Sequence, residues 1–354
     1  MRSRWCSSGW TAAQTLPRPS RPENLDMMVA MDDSASGSIG CVAVSNHISR
    51  PVPEILWHYT TFAGFQGIIN SKKIWATEYR FLNDREEFKH AKKLALEVID
   101  EESELPHKLF SPRDLLRRSV ELAFNTGPFD EKRLRLMVAS FSERGDQLSQ
   151  WRGYSGNSTG VSIGLDLRGL RPPADTQPLV TFAPCVYSEE KKRTLLKAVF
   201  EHFRTGLQEW EDSIIAAAAW KAHEGKRFEP RRSRKLNHMT SRRQWALLID
   251  LLRIGPLLKD RRFSEEREWR LVLPSDVGDH PTEQQIEFRP IRDALVPYIA
   301  YPLFVPTQGG EISCRSVILG PGAHASAEGG VNTFLRGKLI PVSAQPSKIP
   351  YRPA

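Results

Sequence analysis

The sequence lacks most of the short motifs that identify an enzyme class. It has no Gly-rich loop ending in Gly-Lys-Ser/Thr, no Gly-x-Gly-x-x-Gly and no His-Glu-x-x-His, so the sequence-readable P-loop, dinucleotide-fold and zincin classes are excluded. Cysteine is scarce. Cys6, Cys41, Cys185 and Cys314 are far apart, and no Cys-x-x-Cys pair exists, which argues against a zinc site of the usual spacing and fits reduced thiols in a cytoplasm. Nine histidines show no metal-ligand spacing. No apolar run approaches the ~18 residues that would span a bilayer, and no continuous apolar segment follows Arg2 and Arg4 as a secretory signal would require. No internal repeat is visible, which sets solenoids and propellers aside.

What is present is ordinary globular composition: 354 residues, 40% hydrophobic and 26% charged, with a net charge of +8. Part of the positive excess is local. Between Lys226 and Arg243, Lys226, Arg227, Arg231, Arg232, Arg234, Lys235, Arg242 and Arg243 face only Glu229. Clustered Lys and Arg are the electrostatic footprint of nucleic-acid binding, and equally of a solvated loop between helices. Residues 1–50 are rich in Ser, Pro, Gly and Ala with no helical or strand period. Such composition predicts disorder, and Met27, Met28 and Met31, at the end of its least structured part, raise the expectation of a start assigned too early.

Order is expected from residue 51 to residue 354 as a single domain. Ile55 to Thr60 reads as a buried strand, and Phe62, Phe65, Ile68 and Ile69 fall at helical spacing after it. Lys73 to Thr77 is a second strand candidate. Asp84 with Glu87 has the capping-box pattern, and Ser111-Pro112 opens another helix. Further strands are expected at Leu134–Phe141, Gly160–Leu165, Leu179–Tyr187, Glu268–Leu273, Gln285–Phe288, Tyr298–Phe304 and Arg315–Leu319. Helices are expected at Asp146–Tyr154, Glu189–His223, Ser241–Lys259 and Ala323–Arg336. Strands and helices do not alternate regularly, so the pattern predicts an α+β fold with a mixed, mainly antiparallel sheet and helical insertions.

Polar residues embedded in apolar sequence mark the candidate site: His58, Tyr59 and Thr60; Asn83 and Asp84; Ser140, Ser142 and Glu143; Gln150, Arg152 and Tyr154; and Glu266, Glu268 and Arg270. Polar groups on otherwise apolar strands need partners, so His58, Tyr59, Glu143, Gln150, Arg152, Glu268 and Arg270 are expected to converge on one cleft. Each also has a plain structural reading. His58 can be a hydrogen-bonded strand-end residue, Asn83 and Asp84 can be turn and cap, and Glu266, Glu268 and Arg270 can form a buried charge network. Trp57, Trp75, Trp151 and Trp269 read as core or pocket wall.

The order Trp57-His58-Tyr59-Thr60, Leu82-Asn83-Asp84, Ser140-Phe141-Ser142-Glu143, Gln150-Trp151-Arg152-Gly153-Tyr154, Glu266-x-Glu268-Trp269-Arg270 and Pro350-Tyr351-Arg352 resembles the bacterial domain-of-unknown-function family numbered 2971, over about residues 51–354. The opening strand ending His-x-Thr, the short helix ending Ile-Ile and the small strand after it are similar to the start of ADP-ribosyltransferase folds. That resemblance implies NAD as cofactor, His58 on a ribose, and Glu268 stabilising the oxocarbenium-like transition state, with Glu266 and Glu143 as competitors for that role. It implies Arg152 at the pyrophosphate, and Tyr59, Thr60, Glu143, Gln150, Tyr154 and Arg270 as further ligand contacts. The target would be nucleic acid or protein, in phage defence or a toxin system. A binding or sensor module without catalysis and a nuclease-type hydrolase are the alternatives.

Overall fold

The computed structural model describes residues 50–82, 86–101, 111–121, 123–124, 135–155, 158–170, 180–223, 244, 246–275, 286–291, 294–303 and 313–350. The N-terminal segment up to residue 49, the caps at Asn83 and Asp84, the basic stretch Lys226–Arg243, and Tyr351 and Arg352 lie outside the described residues.

Strand β1 (Leu56–Thr60) leads into helix α1 (Phe62–Ser71). Thr61 caps that helix by accepting from the amide of Gly64, and Lys72 closes it in the left-handed region. Strand β2 (Lys73–Glu78) and helices α2 (Glu86–Glu101) and α3 (Pro112–Glu121) follow. In α3, Pro112 sits at the first position, and the hydroxyl of Ser111 accepts from the amide of Asp114. Next come β3 (Arg135–Ser142), the short helix α4 (Leu148–Tyr154), β4 (Val161–Leu165), β5 (Thr181–Pro184) and the long helix α5 (Glu189–His223). A helical stretch, 246–254, precedes β6 (Glu268–Ser275), β7 (Glu287–Ile291), β8 (Ala294–Pro302), β9 (Cys314–Leu319), helix α7 (Ala327–Gly337) and β10 (Ala344–Pro346); the 246–254 stretch is α6.

The sheet is mixed and mostly antiparallel, as the irregular order of elements predicts. Its main path runs β10-β9-β4-β1-β3-β2-β8-β7, with β6 on the other edge of β3 and β5 beyond it. Only β10 with β9 is parallel among the named strand pairs. Strand β3 is the branch point. One edge pairs along its whole length with β6, from Arg135↔Ser275 to Ser142↔Glu268. The other edge is shared: β2 takes it at Thr77↔Val138 and Glu78↔Met137, and β1 takes it at Trp57↔Ser142. Between those contacts β1 and β2 part, β1 joining β4 and β2 joining β8. Helix α1 is the excursion that separates them. The sheet is therefore forked beside Ala139, Ser140 and Phe141.

Because side chains alternate along a strand, the registers sort residues by face. One face carries Leu56, Phe141, Trp269, Leu271 and Ile163, and forms a core with Phe65, Ile68 and Ile69 of α1 and Val331 and Leu335 of α7. The other face carries Leu136, Val138, Ala183 and Val272 under α2, α3, α5 and α6. Of the four tryptophans expected in core or wall, Trp151 and Trp269 are fully buried, while Trp57 and Trp75 are half-buried. The expected helix Ser241–Lys259 stops earlier. Pro256 lacks the amide a helix needs, Gly255–Leu257 form a 3-10 turn, and Leu258 bridges to Val186. Strand β8 starts four residues before the expected Tyr298, and β5 is shorter than the expected Leu179–Tyr187. No helix among the described residues is long and apolar enough to cross a membrane.

Candidate functional site

Beneath the end of β6, four charged side chains are packed together out of water. Glu268 is 4% exposed, Arg270 3% and Lys259 1%, with Glu266 beside them at 8%. Alternation puts Glu268 and Arg270 on the same face, so Arg270 grips Glu268 with two prongs, Nε to Oε1 at 2.7 Å and Nη2 to Oε2 at 3.0 Å. Lys259 donates to Glu268 Oε2 at 2.5 Å and also to Glu266. Arg270 further donates to the carbonyl of Pro256, and the amide of Glu268 donates to the hydroxyl of Tyr187 at 2.9 Å. Burial opposes the charge on Glu268, but Arg270 and Lys259 together outweigh it and hold its carboxyl down at about 2. Glu266 has the weaker hold, and burial pushes it above the usual carboxylate range despite Lys259. Two anions and two cations leave the cluster neutral, and both oxygens of Glu268 are occupied.

On the same face, α4 closes over β1. Tyr59 meets Trp151 edge-on with ring centroids 4.8 Å apart. Its hydroxyl donates to the carbonyl of Arg144 at 2.8 Å and accepts from the amide of Gln147 at 3.1 Å. Burial raises the Tyr59 phenol far above its ordinary range, so it stays neutral. Tyr154, at the end of α4, feels Glu268 as well as its own burial, and is raised in the same direction. Gln150 is buried, whereas Arg152 on the same helix is exposed.

His58 and Thr60 point the other way. His58 pairs with Ile163 and its ring lies 5.7 Å from that of Phe141, on the face opposite Glu268. Nδ1 of His58 donates to the carbonyl of Ser140 at 2.9 Å. That carbonyl lies in the fork, where neither β1 nor β2 pairs with β3. A carbonyl only accepts, so the proton resides on Nδ1 and Nε2 is left as an acceptor. Burial lowers the His58 pKa to about 4, the Ser140 bond works against that, and Arg289 stands near enough to add to the lowering. The ring is neutral at pH 7, and the residue remains half-buried. Glu143 lies beyond the strand end, where its Oε1 accepts from the indole of Trp269 at 3.0 Å and meets Arg50 at 2.8 Å.

The expected single cleft is thus two places. Tyr59, Gln150, Tyr154, Glu268 and Arg270 share one side of the sheet; His58, Thr60 and Glu143 belong to the other or to its rim. Sequence reading missed Lys259, hidden in the apolar run Pro256-Leu257-Leu258-Lys259, and Tyr187, whose hydroxyl receives the Glu268 amide. The sequence also holds Gly156-Asn157-Ser158-Thr159-Gly160, which has the Gly-x-Ser-x-Gly form. Ser158 sits at φ 67 and is buried with its hydroxyl unbonded. It joins a helix to a following strand, the reverse of the strand-to-helix elbow that exposes a nucleophile. Among the described residues no group of three His, Cys, Asp or Glu side chains could hold a metal ion.

Nothing among curated proteins and nothing among solved structures matches the chain. A family match does exist, and it covers most of α4, the four-charge cluster and the first half of β6: the model of the protein family of unknown function DUF2971 matches residues 150–271.

Proposed function

We propose that the chain is a binding module that takes a ribose-bearing ligand, with NAD the candidate, at the fork beside β3. The observation that carries this reading is the fixed tautomer of His58. Nδ1 is committed to Ser140, so the neutral ring offers Nε2 as an acceptor for a sugar hydroxyl. A protonated ring would offer a donor there instead, and burial keeps the ring neutral. The module is read as non-catalytic because Glu268 is committed elsewhere. A carboxylate whose two oxygens are held by Arg270 and Lys259 is not free to stabilise charge on a sugar.

One observation favours a second reading, transfer of ADP-ribose to a nucleic-acid or protein target: an antiparallel sheet that splits beside His58. In that reaction the bond from ribose C1′ to nicotinamide breaks, nicotinamide leaves, and the target nucleophile bonds to C1′. Calorimetry with NAD and an assay of nicotinamide release, with DNA, RNA and protein targets, separate the two. Saturable NAD binding that His58→Ala abolishes, with no nicotinamide formed, is expected. Nicotinamide release that Glu268→Gln abolishes would replace the first reading with the second, and absence of NAD binding would sink both.

A further inference from the structure

Arg289 is the cation at the fork that the four-charge cluster does not use. It lies on β7, where Glu287, Phe288 and Pro290 are exposed and Arg289 turns inward to half burial. The registers Arg289↔Val296 and Glu287↔Tyr298, with Thr77↔Tyr298, place it over the same face as Trp75 and Thr77. Its guanidinium carbon stands 5.1 Å from the ring centre of Trp75 and 5.6 Å from that of Tyr298. One nitrogen, Nη2, donates to the Thr77 hydroxyl at 2.7 Å. Nε is buried with no hydrogen-bond acceptor. No carboxylate comes within ion-pair distance among the described residues; the neighbouring acid, Glu287, instead accepts from the Tyr298 hydroxyl at 2.7 Å.

A guanidinium has five N–H donors in a rigid fork. Among the described residues this one uses a single donor, is drawn out of water, and is held in place by two aromatic rings. Burying such a cation without a counter-charge is costly, and aromatic contact offsets only part of that cost. The arrangement fixes orientation and leaves the charge unspent, as in an anion site. The pairs Thr77↔Val138 and Val138↔Val272 put it on the face opposite that of the His58 pairing, and its field reaches His58 through the fork, where the ring is bonded to the Ser140 carbonyl.

We infer that Arg289, oriented by Trp75, Tyr298 and Thr77, binds a phosphate or pyrophosphate group of the ligand at the fork. This rests on the proposed ligand site at His58 and extends it: the ligand is phosphorylated, and Arg289, rather than the exposed Arg152, takes its pyrophosphate.

The test uses the full chain and three probes: inorganic pyrophosphate, NAD, and adenosine, which has the ribose without phosphate. Pyrophosphate and NAD are expected to bind, and Arg289→Met to weaken both by about tenfold or more, the worth of a charge-assisted hydrogen bond or two. Arg289→Met keeps a stem to pack on Trp75 and Tyr298, and Arg289→Lys keeps the charge and should fall between. Adenosine binding should be indifferent to either change. A second readout is the imidazole of His58 followed by NMR: bound pyrophosphate neutralises the nearby cation and should raise the His58 pKa in the wild type but not in Arg289→Met. Pyrophosphate that fails to bind, or binds Arg289→Met equally, overturns the inference. NAD binding lost in His58→Ala yet unchanged in Arg289→Met would overturn it while leaving the proposed function standing. Pyrophosphate binding that depends on Arg289, with no NAD binding, would uphold the anion site and remove the ribose reading.

Discussion

Glu268 and Arg270, two residues apart on β6, are locked together by two hydrogen bonds of 2.7 and 3.0 Å, with Lys259 closing the far side of the carboxylate at 2.5 Å. The pairing is structural in its consequences. Removing one member of a buried ion pair strands the rest, and such losses run to about 3–5 kcal/mol. Glu268→Gln keeps the shape but leaves Arg270 and Lys259 with less compensation in a dry site. We expect it to lower unfolding free energy by about 3 kcal/mol in urea titration. A loss under about 1 kcal/mol would show that Glu266 alone satisfies both cations, and that Glu268 is spare for chemistry after all.

His58 gives a pH signature of its own. Its folded pKa is about 4 against an ordinary 6.5, so between those values the unfolded chain binds a proton that the folded chain refuses. Stability is therefore complete above pH 6.5 and falls as pH drops toward 4, by up to about 3 kcal/mol. Glu266, raised by burial, contributes with the opposite sign over part of that range. The clean measurement is a difference: wild type against His58→Gln, whose amide can still donate to the Ser140 carbonyl but does not titrate. Stability curves that converge as the pH falls from 7 to 4.5 are expected, the variant being the less sensitive of the two. Parallel curves would mean that the His58 ring protonates freely in the folded state.

Much of this was legible in the sequence, and what was not has identifiable causes. Strand alternation separates His58 from Tyr59 from the outset. Burial of Trp151 and Trp269 is what their large aromatic side chains predict even among polar neighbours, and the charge-network reading of Glu266, Glu268 and Arg270 follows from the cost of burying a carboxylate alone. The assignment of Glu268 to the face opposite His58 depends on which strands neighbour β3, a long-range matter that no local pattern fixes. Lys259 was hidden because its charge enters through a break at Gly255-Pro256 inside what looks like continuous helix. Arg289 was overlooked because a short edge strand of Glu287–Ile291 has little periodicity to read. Strand β10, Ala344–Pro346, is three residues long and parallel to β9, beneath what pattern can detect.

Gly160 opens β4 where two main-chain segments press in. A methyl there would collide with the carbonyl of Thr60 and lie 2.8 Å from that of Ser155. Both obstacles are backbone, so neither can swing aside. The Gly160 carbonyl also receives the amide of Gly320 at 2.8 Å, tying the turn to the end of β9. Gly160→Ala should destabilise by about 2 kcal/mol or more, in the range of a forced backbone shift. Gly153→Ala, where a methyl meets nothing within 4 Å, is the control and should be neutral or better in a helix. Equal melting temperatures for the two variants would contradict the packing at Gly160.

Asp146 ties the C-terminal strand segment to α4 across some 200 residues of sequence. Oδ1 accepts from the indole of Trp151 at 2.7 Å and from the hydroxyl of Ser347 at 2.6 Å, while Oδ2 accepts from the amide of Lys348 at 2.8 Å. The amide of Ser347 is meanwhile bonded to the carbonyl of Leu319 on β9, so this one carboxylate joins α4 to the parallel edge of the sheet. Trp151 is the residue against which Tyr59 packs, and so the staple also sets the seating of α4 over β1. Asp146→Ala removes three hydrogen bonds at once and leaves the buried indole N–H unpaired, for a cost of about 2–3 kcal/mol. The loss should be uneven: amide exchange at Lys348 and Ile349 should speed up far more than exchange in β3 or β6, because the edge can open without the centre. Asp146→Asn keeps one acceptor oxygen and should recover part of the stability. If exchange at Lys348 is as slow in Asp146→Ala as in the wild type, the C-terminal segment is held by β9 alone and the carboxylate is not its anchor.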